Sequence, residues 1–167
     1  MFMIRAATSD KFEVKNSIEQ VREFFSDIRN FIELMPNVES IYRNPDGTLR
    51  WTIRAKIPLI GAIQQSFSVE LWENTDERIE WIPRANEKQN LLRYAADFIE
   101  KSGNTTLIHF SQTVELRRNS ARELNLLAGL AGERRISQGM QWEVGGMIKS
   151  FMQKAKQKLE TTDKQQK

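Results

Sequence analysis

The sequence has 167 residues, 40% hydrophobic and 28% charged, which is the profile of one folded domain with a core of its own. It has no cysteine and a single histidine, His109, so disulfides, thiolate metal sites and cysteine nucleophiles are excluded, and a Ser-His-Asp triad would have to be built on that one residue. The net charge of +3 is interspersed along the chain, and no nucleic-acid partner is expected from it.

Residues 10–15 alternate, with Phe12 and Val14 on one side, and read as a strand with one buried face. Ser17 followed by Gln20 is a capping-box spacing, and Ile18, Val21, Phe24 and Phe25 recur at helical intervals. Ile28, Phe31 and Leu34 continue as a second, broken helical piece that Pro36 stops, because a residue before proline is pushed out of the α region. Residues 38–43 read as a strand, and Asn44-Pro45-Asp46-Gly47 is turn chemistry. Leu49, Trp51, Ile53, Ala55 and Ile57 then alternate with polar residues as the cleanest strand in the chain. Further strands are predicted over about 64–73, around Ile79 and Trp81, and over 90–101 and 105–118, with Ser102-Gly103-Asn104 as a hairpin turn. On the last strand His109, Ser111, Thr113 and Glu115 fall on the solvent side, and Arg93 with Asp97 reads as a surface ion pair.

From Ser120 the pattern turns helical. Residues 120–132 are apolar and bounded by glycines, which fits either a lid over a cavity or a short helix packed on the sheet edge. A long helix follows over about 133–161, with Ile136, Met140, Val144, Met147, Ile148, Phe151, Ala155 and Leu159 as its stripe. Gly145-Gly146 in its middle calls for an offset, either close packing on the sheet, which is favoured, or a bend that makes room for a ligand. Trp72 and Trp142 fall off the buried stripes, as rim side chains or as a contact surface. The polar residues 162–167 are expected to be a disordered tail.

A strand, short helices, a run of about six antiparallel strands and a long helix imply an α+β fold in which the sheet curls around the helix. The stretch FEVKNSIEQVREFFSDIRNFIELMPNVESI, through Phe12, Val14, Ser17, Val21, Phe25, Asp27, Met35, Pro36 and Val38, resembles the START-like, or Bet v 1-like, helix-grip (SRPBCC) superfamily. Within that superfamily it is similar to polyketide cyclase/dehydrase and CoxG-like proteins, as is the ending IKSFMQKAKQKLE. The resemblance implies one domain over residues 1–161, with a seven-stranded curved sheet gripping the C-terminal helix and an apolar cavity between them.

The strand alternation places Trp51, Ile53, Phe67, Val69, Leu71 and Trp81 on the cavity side, together with Tyr94, Phe98, Phe110, Gln112 and Val114. The helix adds Met140, Val144, Met147, Ile148 and Phe151. Large apolar walls with two polar groups, Tyr94 and Gln112, suit a pocket for a hydrophobic small molecule such as a lipid, an isoprenoid quinone or a polyketide. They suit equally a filled core in which Tyr94 and Gln112 satisfy each other. A cyclase/dehydrase-type enzyme with Tyr94 as acid or hydrogen-bond donor, and an interaction or assembly protein with a filled core, stand as alternatives. No phosphate loop, paired-acid motif or metal-ligand spacing occurs, so neither cofactor nor metal is expected. Lys149, Lys154, Lys156, Lys158, Lys164 and Lys167 form either a solvated helix face with a frayed tail or a weak anchor for an acidic membrane surface or RNA. No apolar run approaches the ~20 residues of a membrane span, and the apolar part of MFMIRAATSD is too short for a signal peptide. A cytoplasmic location is therefore expected.

Overall fold

The structure, a computed structural model, describes residues 1–166, with side chains described to Thr162. The chain forms β1 (Phe2–Val14), α1 (Ile18–Ser26), α2 (Ile28–Leu34), β2 (Val38–Arg43), β3 (Leu49–Ile57), β4 (Gly61–Asn74), β5 (Arg78–Pro83), β6 (Asn90–Ser102) and β7 (Thr105–Arg118). A 3-10 turn (Ala121–Glu123), α3 (Ala128–Ala131) and α4 (Glu133–Gln166) complete it. The seven strands make one antiparallel sheet in the order β1-β7-β6-β5-β4-β3-β2. Register shifts between Val38 and Ser40, Leu71 and Glu73, and Glu100 and Ser102 mark bulges, which raise local twist and help the sheet curl.

Strand β1 begins eight residues earlier than the sequence pattern suggests. Phe2, Ile4 and Ala6 alternate inward there, but polar Thr8 to Lys11 interrupt the signal before Phe12. As an edge strand, β1 would present unpaired amides to solvent. Helix α4 covers them with side chains. Glu133 Oε1, Ser137 Oγ and Gln141 Oε1 accept from the backbone N–H groups of Met3, Arg5 and Ala7 at 2.8, 3.2 and 2.8 Å. Gln141 Nε2 also donates to the Ala7 carbonyl at 2.7 Å. The match is geometric. Four helix residues rise about 6 Å and two strand residues about 6.8 Å, so the two ladders stay nearly in step for two turns.

Ser17 caps α1 by accepting from the Gln20 amide at 3.3 Å. Asp27 ends α1 and caps α2, accepting from the Arg29 amide at 3.0 Å. The break between the helices is thus a shared cap. Met35 is the C-cap of α2, immediately before Pro36.

The stripe of α4 is buried as its spacing requires. Its C-terminal half is fixed by polar anchors: buried Asn16 donates to the Leu159 carbonyl at 2.8 Å, and Lys158 Nζ donates to Asn30 Oδ1 at 2.8 Å. The helix continues to Gln166, into the residues expected as a tail; Lys167 lies outside the described residues. Gly145 and Gly146 do not approach the sheet. A Cβ on either would meet nothing within 4 Å, so the expected close packing is absent there. It occurs instead at Gly139, where a Cβ would stand 3.1 Å from Cδ of Pro58. Trp72 and Trp142 are exposed rather than half-buried.

Candidate functional site

The interior between sheet and helix divides into two halves. The half under α1 and α2 is filled with rings. Phe31, delivered by α2, stacks on Phe151 of α4 with centroids 5.1 Å apart and lies 5.6 Å from both Trp51 and Tyr94. Phe25 reaches Phe98, Phe110 and Phe151 at 5.6, 6.1 and 6.1 Å. Trp81 stacks on Tyr94 at 6.4 Å. The expected wall residues Trp51, Trp81, Tyr94, Phe98, Phe110 and Phe151 are therefore inward as foreseen, but packed against one another and against the α1–α2 rings. Val69 and Ile148 are also buried in the core, and neither lines the cavity of the other half.

The other half keeps a cavity of about 40 Å³. Its walls include the foreseen residues Ile53, Phe67, Gln112, Val114, Met140, Val144 and Met147. Ala55, Ile57, Ile63, Gln65 and Leu116 complete it. These five lie on the same alternating faces of β3, β4 and β7, one or two steps beyond the residues assigned to the wall. A cavity of this size holds a few waters, about a tenth of the volume of a ligand pocket.

Leu71 departs from expectation. It is 45% exposed and lines a surface hollow with Ser26, Arg43 and Glu70 rather than the interior. Leu71 still pairs in register with Trp81, and the bulge follows it, between Leu71 and Glu73.

Three polar groups sit at the boundary between the halves. Tyr94 is the cross-strand neighbour of Gln112, and Trp51 that of Phe67, so both lie one position behind the cavity wall. The Tyr94 hydroxyl and Trp51 Nε1 are buried without a hydrogen-bond partner among the described residues. Burial pushes the Tyr94 phenol well above its ordinary range. The nearby indole eases that rise without reaching hydrogen-bond geometry. Gln112 is buried and its amide does not satisfy Tyr94. Buried polar atoms without partners are uncommon and costly, at roughly 1–3 kcal/mol each. Gln65, by contrast, is held: its Oε1 accepts from Asn90 at 3.0 Å and Arg118 at 2.9 Å.

Outside the interior, Ser9 Oγ lies 2.6 Å from His109 Nε2, whose Nδ1 lies 3.7 Å from Asp97 Oδ2. The order is that of a hydrolytic triad, but it sits on the outer face of the sheet. The nearest point of Asp97 to a cation is 2.6 Å, at Arg78. The expected Arg93–Asp97 pair is replaced by cross-strand pairs, Arg78–Asp97 and Arg93–Glu80, the latter at 3.6 Å. Residues four apart on one strand are separated by about 13 Å, whereas cross-strand neighbours are about 5 Å apart. Among the described residues no three His, Asp or Glu side chains cluster as a metal site, and no helix is long and apolar enough to cross a membrane.

The chain shares its fold with several solved structures. It superposes on the di-domain ARO/CYC protein BexL with a TM-score of 0.67 at 19% identity, covering 94% of this chain and 50% of that one. The chain thus spans half the length of that two-domain protein. A START superfamily protein from Mycobacterium smegmatis matches with a TM-score of 0.59 at 15% identity, over 96% of this chain and 99% of that one. Zhui aromatase/cyclase from a Streptomyces species matches with a TM-score of 0.62 at 9% identity, over 90% and 93%. At such identities the likeness is one of fold. No curated protein matches the sequence significantly. The CoxG family of carbon monoxide dehydrogenase subunits matches residues 11–160, nearly the whole helix-grip domain, and the chain belongs to that family.

Proposed function

We propose that the protein binds a hydrophobic small molecule, such as a lipid, an isoprenoid quinone or a polyketide-like compound, between the sheet and α4. The observation that carries this is the pairing of an apolar cavity with partnerless polar atoms one position behind its wall. An apolar guest replaces water against the walls, at about 25 cal/mol per Å² of apolar surface buried. Its polar end points toward Gln112, with the Tyr94 hydroxyl and Trp51 Nε1 behind. The phenol stays protonated because burial disfavours its charged form, so it serves as a donor to a carbonyl or quinone oxygen.

A cavity of about 40 Å³ is too small for such a guest, so admitting one requires the walls to part. Residues 119–132 are the short connection between β7 and α4, anchored on the core by Ala128 and Leu124. They are held to the β3–β4 turn by one hydrogen bond, Asn125 Nδ2 to the Ile60 carbonyl at 3.3 Å. The cysteine-free sequence fits a reducing, cytoplasmic setting for this role.

Native mass spectrometry of the protein purified from its own cells tests the proposal. A co-purified lipid-like mass, displaced in Val144→Trp, is the expected result. Absence of such a mass, together with no thermal stabilisation across a panel of lipids and quinones, overturns it. Turnover of a polyketide-like substrate that Tyr94→Phe abolishes would instead assign a cyclase-type reaction to the same space.

A further inference from the structure

The outer face of the sheet carries an arrangement that the interior does not use. Ser9 on β1, His109 on β7 and Asp97 on β6 lie on three adjacent strands. Register brings them together. Asp97 is directly opposite His109, and Ser9 pairs with Ser111, which puts it diagonal to His109. Direct and diagonal neighbours are the side chains that can meet across a sheet. Ser9 Oγ accordingly lies 2.6 Å from His109 Nε2, and Asp97 Oδ2 lies 3.7 Å from Nδ1. A carboxylate on the Nδ1 side favours the tautomer with its proton there, which leaves Nε2 to accept from the Ser9 hydroxyl. Asp97 is shared with Arg78 and acts on the imidazole as a nearby charge, beyond hydrogen-bond distance. Ser9 itself is exposed.

A nucleophile that attacks a carbonyl also needs a donor for the oxyanion it creates. The amides of Met3, Arg5 and Ala7 point away from β7 and donate to Glu133, Ser137 and Gln141, so each second residue of β1 meets each fourth residue of α4. The next amide in that series is that of Ser9, and the next helix position is Gly145. Glycine has no side chain to accept with, and a Cβ there would meet nothing within 4 Å. The ladder of helix side chains therefore stops one rung short. The Ser9 N–H is left without a side-chain acceptor among the described residues, and it belongs to the same residue as the hydroxyl that His109 holds.

We propose that Ser9 is a nucleophile for acyl transfer from small activated carboxylic esters to water, with His109 as its general base and the Ser9 N–H as oxyanion donor. The Ser9 oxygen bonds to the ester carbonyl carbon while His109 Nε2 takes the hydroxyl proton, and the carbonyl oxygen becomes an anion held by the Ser9 N–H. The anion collapses, the bond from the carbonyl carbon to the leaving alcohol breaks, and His109 gives its proton to that alcohol. Water then attacks acyl-Ser9 in the same way. His109 takes the water proton and returns it to Ser9 Oγ as the carboxylic acid leaves. The site lies on the opposite face of the sheet from the cavity and stands whether or not the cavity takes a guest.

Treatment of the full chain with a fluorophosphonate probe, followed by peptide mass spectrometry, tests the proposal, and hydrolysis of p-nitrophenyl acetate is the second readout. The expected result is phosphonylation of Ser9 well ahead of Ser111 and the other serines, together with ester turnover that Ser9→Ala abolishes. His109→Gln should slow the labelling of Ser9 by about a hundredfold, the usual worth of a general base. Gly145→Gln supplies the missing rung of the ladder, engages the Ser9 amide and should slow labelling by about tenfold, with the Ser9–His109 contact intact. Asp97 is a positioning residue: Asp97→Asn should slow labelling severalfold, and Asp97→Glu should restore it. Circular dichroism should show the variants folded, and if His109→Gln does not fold, Gly145→Gln decides. Labelling spread evenly over the exposed serines overturns the proposal. So does a Ser9→Ala protein that turns over the ester like wild type, or a folded His109→Gln or Gly145→Gln protein labelled at the wild-type rate.

Discussion

The two halves of the interior are built from the same strands and the same helix, yet one is full and the other hollow. Where α1 and α2 cross the sheet they insert Phe25 and Phe31 into the ring cluster with Trp51, Tyr94, Phe110 and Phe151. Elsewhere aliphatic walls such as Val114, Leu116 and Met140 stand around empty space. Ligand space in a helix-grip fold is thus set less by sheet and long helix than by how far the short helices push large side chains between them. Native interiors are close-packed as a rule, so the void in one half is the departure on which the proposed binding rests.

The contrast can be broken in the filled half. Phe31→Ala removes the ring that meets Phe25, Trp51, Tyr94, Phe110 and Phe151. It should destabilise the protein by about 3–5 kcal/mol, as large-to-small aromatic changes in a packed core do. Urea unfolding measures it. A loss under ~1 kcal/mol would show that the rings are loosely packed and that guest space extends beneath α2.

A single added methylene should separate the halves next. Val69→Ile, in the filled half, should cost roughly 1 kcal/mol or more by overpacking. Val114→Ile, on the cavity wall, should be neutral or stabilising, because the cavity of about 40 Å³ receives the extra group. Equal costs at the two positions would contradict the division.

Smaller effects are expected from the helix behind the hollow half. Gly145→Ala and Gly146→Ala should each stabilise by roughly 0.5–1 kcal/mol, since alanine is the better helix former and a Cβ meets open space at both positions. If instead α4 must bend there to open the cavity, these variants would gain stability yet take up a guest more slowly, a stopped-flow difference that would extend the hollow half to the outer face of the helix.

The smallest effect concerns the joint between α1 and α2, which holds the rings in place. The hydrogen bond from Arg29 keeps the Asp27 carboxyl below its ordinary range. A carboxylate depressed in the folded state adds stability that is complete above its unfolded pKa, near 4, and fades as pH falls through the lower folded value. Stability of wild type relative to Asp27→Asn should therefore be flat from about pH 5 to 8 and narrow below about 4. Narrowing at neutral pH would mean that another group fixes the joint.

The elements that carry alternation or helical spacing on their own residues were legible in the sequence. The Leu49–Ile57 strand, the Ser17 cap, the break before Pro36 and the Ile136–Leu159 stripe follow from local pattern, since each residue's face is fixed by the backbone period. The same pattern named the inward faces, and so seven of the twelve cavity-lining residues. It could not distinguish wall from filler, because an inward tryptophan beside a void and one beside Phe31 have the same alternation. Only the tertiary structure decided that Phe31 fills one half, and that Leu71 is left exposed in a surface hollow. Only it showed that the Gly145-Gly146 face is open while Gly139 meets Pro58, and that Glu133, Ser137 and Gln141 close the edge of β1. Each of these depends on distances between elements far apart in the chain, which no local period encodes.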